Sequence, residues 1–454
     1  MSRRFALLAL ILLAVPLGAQ SPAPAAPPAA QIQVPFRQFQ LSNGLNVILH
    51  QDKTVPVVAV NVWYHVGSAN EKPGRTGFAH LFEHLMFEGS KNVPEGQFDI
   101  LLEAAGANNN GSTNNDRTNY VIDLPSNALE LALFLESDRM AYLLDAMPPE
   151  QVNSQRDVVK NERRQSYENR PYGMASLELD KMLWPANHPY SWPVIGHMED
   201  LTAATQADVQ EFFKRYYAPN NASLVIAGDI DLDRTQGLVE KWFAEIPRGP
   251  AVEPVAPPPA LLTQVKRQTL TDQVSLPRLY IGWLTPRLFA PGDATLDLVS
   301  SVLSDGKNSR LYKRLVYDDQ IAQDVSAFQS SGALGSTFLI VATARRGHTV
   351  DELQKAIDEE IDKLRRAPPE AREVQRALNQ VEASFYRAME RVGGFGGKAD
   401  QLNAYYFAGG GPDFFAEDLA RYTALTPADV QAAIIRWLPR DRRIELVVLP
   451  EEKK

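Results

Sequence analysis

The chain has 454 residues, of which 44% are hydrophobic and 22% charged, and its formal net charge is −9. Its length suits two to three domains, and its composition is typical of a soluble globular protein. The acidic balance gives no support to nucleic-acid or anionic-membrane binding, which needs clustered Lys and Arg. The chain contains no cysteine. Disulfides, thiol nucleophiles and zinc–thiolate sites are therefore excluded, and a metal site must use His, Asp or Glu.

The N-terminus has the pattern of a secretory signal peptide. Arg3 and Arg4 precede an apolar run over 5–15, and small residues then offer a cleavage point after Ala19. The run is short for a membrane span, which needs roughly 20 apolar residues, although an uncleaved anchor and twin-arginine export remain alternatives. We predict a signal peptide over 1–19 and a protein that is periplasmic or secreted, in a Gram-negative bacterium.

A Pro/Ala-rich stretch follows the signal peptide and precedes the first predicted domain. Residues 20–35 offer almost no side chain to bury, so we predict an extended linker there. The first domain is predicted over 36–249, where strand-like runs come first and helical patterns later. Its predicted elements are strands at 39–41, 45–50, 57–64 and 222–228, and helices at 126–144, 206–217 and 233–245.

A second Pro-rich break divides the mature chain into pieces of similar size. It predicts a linker over 250–262 and a second domain over 263–454. Strands and helices mix in both pieces without regular βαβ alternation, which favours an α+β fold, and the likeness of the pieces suggests a duplication. The predicted elements of the second piece are strands at 278–283 and 444–449, and helices at 292–303, 349–366, 369–391 and 427–437.

The segment His80-Leu81-Phe82-Glu83-His84 carries the clearest chemical signal. On a helix, positions four apart lie on one face, so His80 and His84 can reach one cation. The order is that of the inverted His-x-x-Glu-His class of zinc enzymes. The chain has only seven histidines, so a chance occurrence of this spacing is improbable. The other five histidines stand alone and are not predicted as ligands.

Two imidazoles and a carboxylate can hold Zn²⁺ and leave a fourth position open for water. A nearby free carboxylate can then take a proton from that water and pass it to the leaving amine. Glu83 fits this role as general base. The residues alone do not identify the third ligand: Glu162 lies in a charged helical stretch, and Asp157, Glu168 and Glu88 are equal candidates at this point.

The segment His80–Ser90 resembles the zinc helix of the pitrilysin/insulinase family, and Val159–Arg164 resembles that family's second metal-binding helix. The resemblance implies that Glu162 is the third ligand and that each chain binds one Zn²⁺. It also implies two homologous mixed α/β-sandwich domains of the pitrilysin-like metallopeptidase fold, here in a short, dimerising member that acts on peptides. The similarity extends from about Phe36 to Pro450 and is more specific in the first half.

A further segment of the resemblance concerns substrate binding. Asn110, Gly111, Ser112 and Thr113 resemble the family's Asn-Ala-x-Thr segment, an edge strand that pairs with the substrate backbone. An Asn-rich polar loop is the alternative interpretation, since such residues also favour turns.

The sequence departs from the family pattern at positions that matter for activity. Gln155 stands where many members have a supporting Glu two helical turns before the ligand. Active members also have an Arg and a Tyr in the second domain that hold the substrate carbonyl, and here Val316 and Gln323 occupy those places. The resemblance therefore implies a zinc endopeptidase that forms the metal-bearing subunit of a heterodimer, with a related Arg/Tyr-bearing partner. The alternative is a non-catalytic binding or assembly subunit.

Overall fold

A computed structural model describes residues 32–451. The predicted signal peptide and most of the predicted linker over 20–35 lie outside the described residues. Within them the chain forms two mixed β-sheets with helices, so the predicted α+β class is confirmed. None of the helices in this part of the chain combines the length and apolar character needed to cross a membrane.

The first half of the described chain builds a six-stranded sheet in the order β1-β2-β6-β3-β5-β4. Its central strands are rich in β-branched and aromatic residues, which pack well on a pleated, buried surface. The polar strand β4 lies at one edge. The strands are β1 Arg37–Gln40, β2 Asn46–Gln51, β3 Val57–Tyr64, β4 Asn108–Thr113, β5 Thr118–Pro125 and β6 Ala222–Gly228.

Each helix of the first half contributes buried apolar side chains to the core beside this sheet. They are α1 Phe78–Glu88, α2 Gln97–Ala104, α3 Leu129–Tyr142, α4 Pro149–Arg163, α5 Gly173–Leu183, α6 Met198–Ala203, α7 Gln206–Tyr216 and α8 Leu232–Phe243. A π-helical turn, Arg164–Glu168, continues α4. Large apolar side chains such as Phe82, Phe243 and Tyr120 are fully buried in the resulting core.

The second half builds a five-stranded sheet in the order β7-β11-β8-β10-β9. Residues 250–262, between the two sheets, form neither helix nor strand. The strands are β7 Lys266–Asp272, β8 Arg278–Thr285, β9 Ala322–Ser330, β10 Ser336–Ala344 and β11 Ile444–Pro450. The helices are α9 Asp293–Ser304, α10 Val350–Arg366, α11 Ala371–Glu390, α12 Lys398–Ala404, α13 Phe415–Thr423 and α14 Pro427–Trp437.

Both halves follow the same path. The order β2-β6-β3-β5-β4 corresponds strand for strand to β7-β11-β8-β10-β9. In each order the first pair, β2–β6 or β7–β11, is parallel; β1 is an additional strand at the edge of the first sheet. A helix follows the third strand of each path, and both helices begin after a left-handed glycine, Gly77 at φ 89° and Gly292 at φ 102°. The likeness of the halves inferred from sequence is therefore present in the topology.

The two halves cover each other's sheets. Helix α12 of the second half packs on β3 and β6, and α5 of the first half packs on β8 and β11. Asp400 on α12 holds the first of these contacts, since its Oδ1 accepts hydrogen bonds from three side chains of the first sheet. The donors are Asn61 at 3.2 Å, Trp63 at 2.9 Å and Asn119 at 3.0 Å.

The predicted elements are present with ends that match or shift by at most three residues, but several elements were missed. The sequence patterns did not predict strands β5, β7, β9 and β10, nor the short helices α2, α5, α6, α12 and α13. The predicted strand at 39–41 begins earlier and ends at Gln40, because Leu41 enters the turn that leads to β2. The Asn-rich segment is a strand, β4, and not a loop.

Candidate metal centre

Helix α1 is fixed at its start by the buried carboxyl group of Glu71. Glu71 accepts hydrogen bonds from the backbone N–H groups of Gly77 and Ala79, both at 2.9 Å, which are donors that a helix leaves unpaired in its first turn. Gly77 is required for space as well as conformation, because a Cβ there would lie 3.0 Å from the Cα of Gly196. Sequence analysis did not single out Glu71. The signal available was a lone acidic residue shortly before a helix that lacks a side-chain cap.

The structure brings His80, His84 and Glu162 together. Glu162 Oε2 lies 3.6 Å from Nε2 of His80 and 3.3 Å from Nε2 of His84, and the two imidazole centroids are 4.8 Å apart. All three candidate ligand atoms lie within 4.8 Å of one another. Among residues 32–451 this is the one group of three or more His, Asp or Glu side chains with such spacing.

The protonation states of these side chains suit a metal ion. Burial lowers the pKa of His80, which favours the neutral imidazole that a metal needs. A side-chain hydrogen bond with His84 lowers the pKa of Glu162, so this carboxyl group is ionised. Two imidazole nitrogens and one carboxylate oxygen on facing helices are a suitable donor set for zinc with an open coordination position.

Contacts between α4 and α1 bring Glu162 to the histidines. Val152 and Val159 are buried on the side of α4 that packs on the first core. Gln155 donates to Glu88 Oε1 at 2.6 Å and so ties the middle of α4 to the end of α1. The residue that replaces the expected supporting Glu therefore acts as a link between the two helices. Burial raises the pKa of Glu88, and the nearby charge of Glu95 acts in the same direction.

Glu83 lies on α1 beside the two histidines and is half-buried. Within the described part of the chain it has no hydrogen-bond or ion-pair partner, unlike Glu162. Strand β4 passes directly over it, and a Cβ on Gly111 would lie 3.2 Å from Glu83 Cγ and 3.1 Å from Phe87 Cε2. The absence of a side chain at Gly111 lets the strand approach the helix this closely.

The backbone of β4 is free on one side. Asn114 N–H donates to Arg117 O at 3.0 Å in the hairpin turn, and the register then continues with the pairs Thr113–Thr118 and Gly111–Tyr120. Because hydrogen-bonded and non-bonded pairs alternate in an antiparallel ladder, the N–H and C=O groups of Gly111 and Thr113 face the open edge. The Gly111 N–H donates instead to Asn110 Oδ1 at 2.8 Å.

The second half places Val316 and Gln323 in different settings. Val316 lies in the π-helical turn Tyr312–Asp318 and packs partly into the second core, whereas Gln323 is exposed on the edge strand β9. Tyr317, next to Val316, is 72% exposed. The remaining histidines lie outside the metal-candidate group; they are His50, His65, His188, His197 and His348.

Comparison with known proteins identifies the family. Residues 46–184 match the sequence profile of the insulinase family, peptidase family M16, and residues 203–381 match the profile described as the peptidase M16 inactive domain. The zinc protease PqqE of Helicobacter pylori is 30% identical over 356 residues, which cover 77% of this chain and 79% of that protein. The chain belongs to the insulinase family of peptidases. Within that family it is a zinc protease similar to the bacterial PqqE proteins.

Solved structures support the same assignment. A crystal structure of a protease from Helicobacter pylori has a TM-score of 0.85 and 25% identity, and the match covers 92% of this chain and all (100%) of that chain. The periplasmic protease PqqL from Escherichia coli has the same fold with a TM-score of 0.73 and 19% identity, covering 94% of this chain and 48% of that chain. The family and fold expected from the sequence are therefore confirmed.

The Glu71 contact generates a prediction about pH. Burial raises the pKa of Glu71 from 4.5 to about 8, although the N–H groups of Ala79 and Gly77 act in the opposite direction. Between pH 4.5 and about pH 8 the folded chain therefore binds more protons than the unfolded chain. Glu71 consequently makes the free energy of unfolding fall as the pH rises through this range. The slope is at most about 1.4 kcal/mol per pH unit.

Glu71→Gln has no titrating group at this position. We expect it to be less stable than the parent chain at pH 5 and to lose much of that deficit by pH 8, as measured by chemical unfolding of both proteins. Glu103→Gln, at an exposed position on α2, controls for the loss of a negative charge. A stability difference that stays constant with pH would contradict the pKa assigned to Glu71.

Proposed function

We propose that His80, His84 and Glu162 are the zinc ligands, one ion per chain, and that Glu83 is the general base of peptide-bond hydrolysis. The observation that carries the proposal is the meeting of two imidazole nitrogens and one carboxylate oxygen beside a carboxylate with no partner of its own. A zinc ion held by these residues would lower the pKa of a bound water and polarise the scissile carbonyl. The proposed zinc-binding domain is 36–249, and the proposed companion domain is 263–454.

Glu83 takes the proton of the attacking water and later gives it to the leaving amine. Its position on α1, between the histidines and Gly111, puts it below the strand to which we assign substrate binding. The backbone groups of Gly111 and Thr113 that face the open edge suit addition of an extended peptide to β4, with Asn110 and Ser112 flanking it. Strand addition selects unfolded segments, because a folded substrate has no free strand to offer.

Two substitutions separate binding of the metal from proton transfer. His84→Ala should lose zinc, whereas Glu83→Gln should retain about one zinc per chain and lose activity by at least about 10²-fold, since it removes the base and not a ligand. Elemental analysis and peptide hydrolysis on the same preparations give both quantities.

His348→Ala is the matched control for these variants. This side chain contacts Glu352 on α10, outside the proposed site, so zinc content and turnover should stay at the level of the parent chain. Zinc retained in His84→Ala would show that the ligand assignment is wrong. Cleavage by Glu83→Gln at a rate close to that of the parent would contradict the assignment of Glu83 as general base.

The chain is proposed to act as the metal-bearing subunit of a heterodimer. The oxyanion of the tetrahedral intermediate needs hydrogen-bond donors, and one such donor is worth roughly 10²–10³ in rate. Val316 has no polar side-chain group and Gln323 offers only a neutral amide, so a second copy of this chain would bring the same deficient segment. A related partner with an Arg and a Tyr at these places would complete the site.

The isolated chain should therefore hydrolyse peptides weakly, and mixing with an Arg/Tyr-bearing relative should raise the rate by two orders of magnitude or more. The double substitution V316R/Q323Y installs the missing groups in this chain. A second copy of the variant would then supply them, and we expect activity without the Arg/Tyr-bearing relative. The single substitution Q323Y serves as its control. Full activity of the unaltered isolated chain, unchanged on mixing, would contradict the heterodimer.

Export to the periplasm is the last part of the proposal. It is supported by the N-terminal pattern of two arginines, a short apolar run and small residues. The structurally similar PqqL is described as periplasmic. N-terminal sequencing of protein recovered from a Gram-negative host should begin at Gln20. Recovery of Met1 or Ser2 on the released protein would argue against cleavage after Ala19.

A further inference from the structure

The guanidinium group of one arginine lies beside β4. Arg117 follows the turn between β4 and β5, and its Nη1 donates to Ser112 O at 2.8 Å and to Ser112 Oγ at 2.6 Å. Its guanidinium carbon stands 5.2 Å from the ring centroid of Trp63. Within residues 32–451 no carboxylate forms an ion pair with it, and its buried Nε has no hydrogen-bond partner. Such incomplete hydrogen bonding of a half-buried cation is costly and favours an anionic acceptor.

Two of the acidic residues that act on Arg117, Asp400 and Asp116, have other partners, and the third, Glu83, lies on the face of β4 toward α1. Asp400 Oδ1 already accepts hydrogen bonds from side chains of the first sheet, and its Oδ2 accepts the N–H of Gly396 at 2.8 Å. Asp116 is bonded to the hydroxyl of Tyr190 and to the N–H of Ala333, the latter at 2.9 Å. Burial lowers the pKa of Arg117 and these acids act against the shift, so the guanidinium keeps its charge.

The register of β4 fixes which side chains of a bound peptide could meet this cation. Successive residues of a strand point to opposite faces, and Gly111 is on the face toward α1 and Glu83. Ser112 and Arg117 are therefore on the opposite face. A peptide residue that pairs with Ser112 at the open edge would place its Cβ about 4.5–5.5 Å from that of Ser112. An Asp or Glu side chain at this position can extend toward the guanidinium.

We propose that Arg117 is a specificity-determining residue that binds a carboxylate of the substrate, supplied by an Asp or Glu side chain at the peptide position paired with Ser112. The inference rests on the proposed function only in requiring that a peptide adds to the edge of β4. The free C-terminal carboxylate of a peptide has the same chemistry, and the test below distinguishes it from an Asp or Glu side chain.

Peptide binding tests the proposal without turnover. The full-length chain carrying Glu83→Gln is loaded with zinc and titrated with fluorescent peptides that differ only in Glu or Gln at one central position. We expect the Glu peptide to bind about tenfold more tightly, as a charge-assisted bond to arginine implies. The preference should vanish when Arg117→Met is added, persist in part with Arg117→Lys, and remain intact with Arg234→Met, an exposed cation on α8.

The ratio of the two affinities distinguishes recognition from a structural role. The proposal would be overturned if Arg117→Met lowered the affinity for both peptides equally, or if neither peptide bound. Replacing the C-terminal carboxylate by an amide should leave the ratio unchanged; a ratio that collapsed on amidation would assign the contact to the chain terminus and contradict the side-chain assignment.

Cleavage mapping with the active complex gives an independent measurement. As the Glu is moved along an otherwise constant peptide, the scissile bond should move with it and keep a fixed spacing. A cleavage position independent of the Glu would contradict the role of Arg117. Failure of the complex to cleave any peptide would refute the proposed function and leave the binding ratios to decide the inference.

Discussion

The packing of α4 against α1 is the contact on which the candidate metal centre depends. A single carboxylate oxygen of Glu162 has to meet two imidazoles that belong to a helix far away in sequence. Buried valines set the distance between the helices, and the Gln155–Glu88 hydrogen bond sets their register. Glu71 fixes where α1 begins. Sites that demand sub-ångström placement need this kind of support from groups that never touch the ligand.

The sequence predicted the part of this site that one helix contains. The spacing of His80 and His84 needs only the helical repeat, whereas Glu162 could be selected from its acidic neighbours only by resemblance. The long amphipathic helices and the apolar central strands were predictable for the same reason. Strand β7 was not, because none of its side chains is buried and its pattern resembles a loop. Arg117 was missed since its surroundings come from three strands and a distant helix.

The two halves share a topology, so residues at corresponding positions of α1 and α9 can be compared. Counting from the left-handed glycine that begins each helix, the places of His80, Glu83 and His84 on α1 are taken on α9 by Thr295, Leu298 and Val299. Leu298 and Val299 are fully buried there. A position that holds a candidate ligand or base in one half is therefore part of the core in the other. The second half has the same architecture without the candidate metal site, consistent with the profile it matches.

The hydrogen bond from Gly111 N–H to Asn110 Oδ1 has a consequence for the resting protein. An exposed strand edge is a template on which other chains can assemble, and soluble proteins protect such edges against aggregation. Here the side chain of the preceding residue occupies the donor that an incoming strand would need. The protection is reversible, since rotation of one amide restores the donor. Non-specific edge-to-edge contacts between copies are thereby disfavoured. A strand that forms several backbone hydrogen bonds at once can displace the side-chain amide of Asn110.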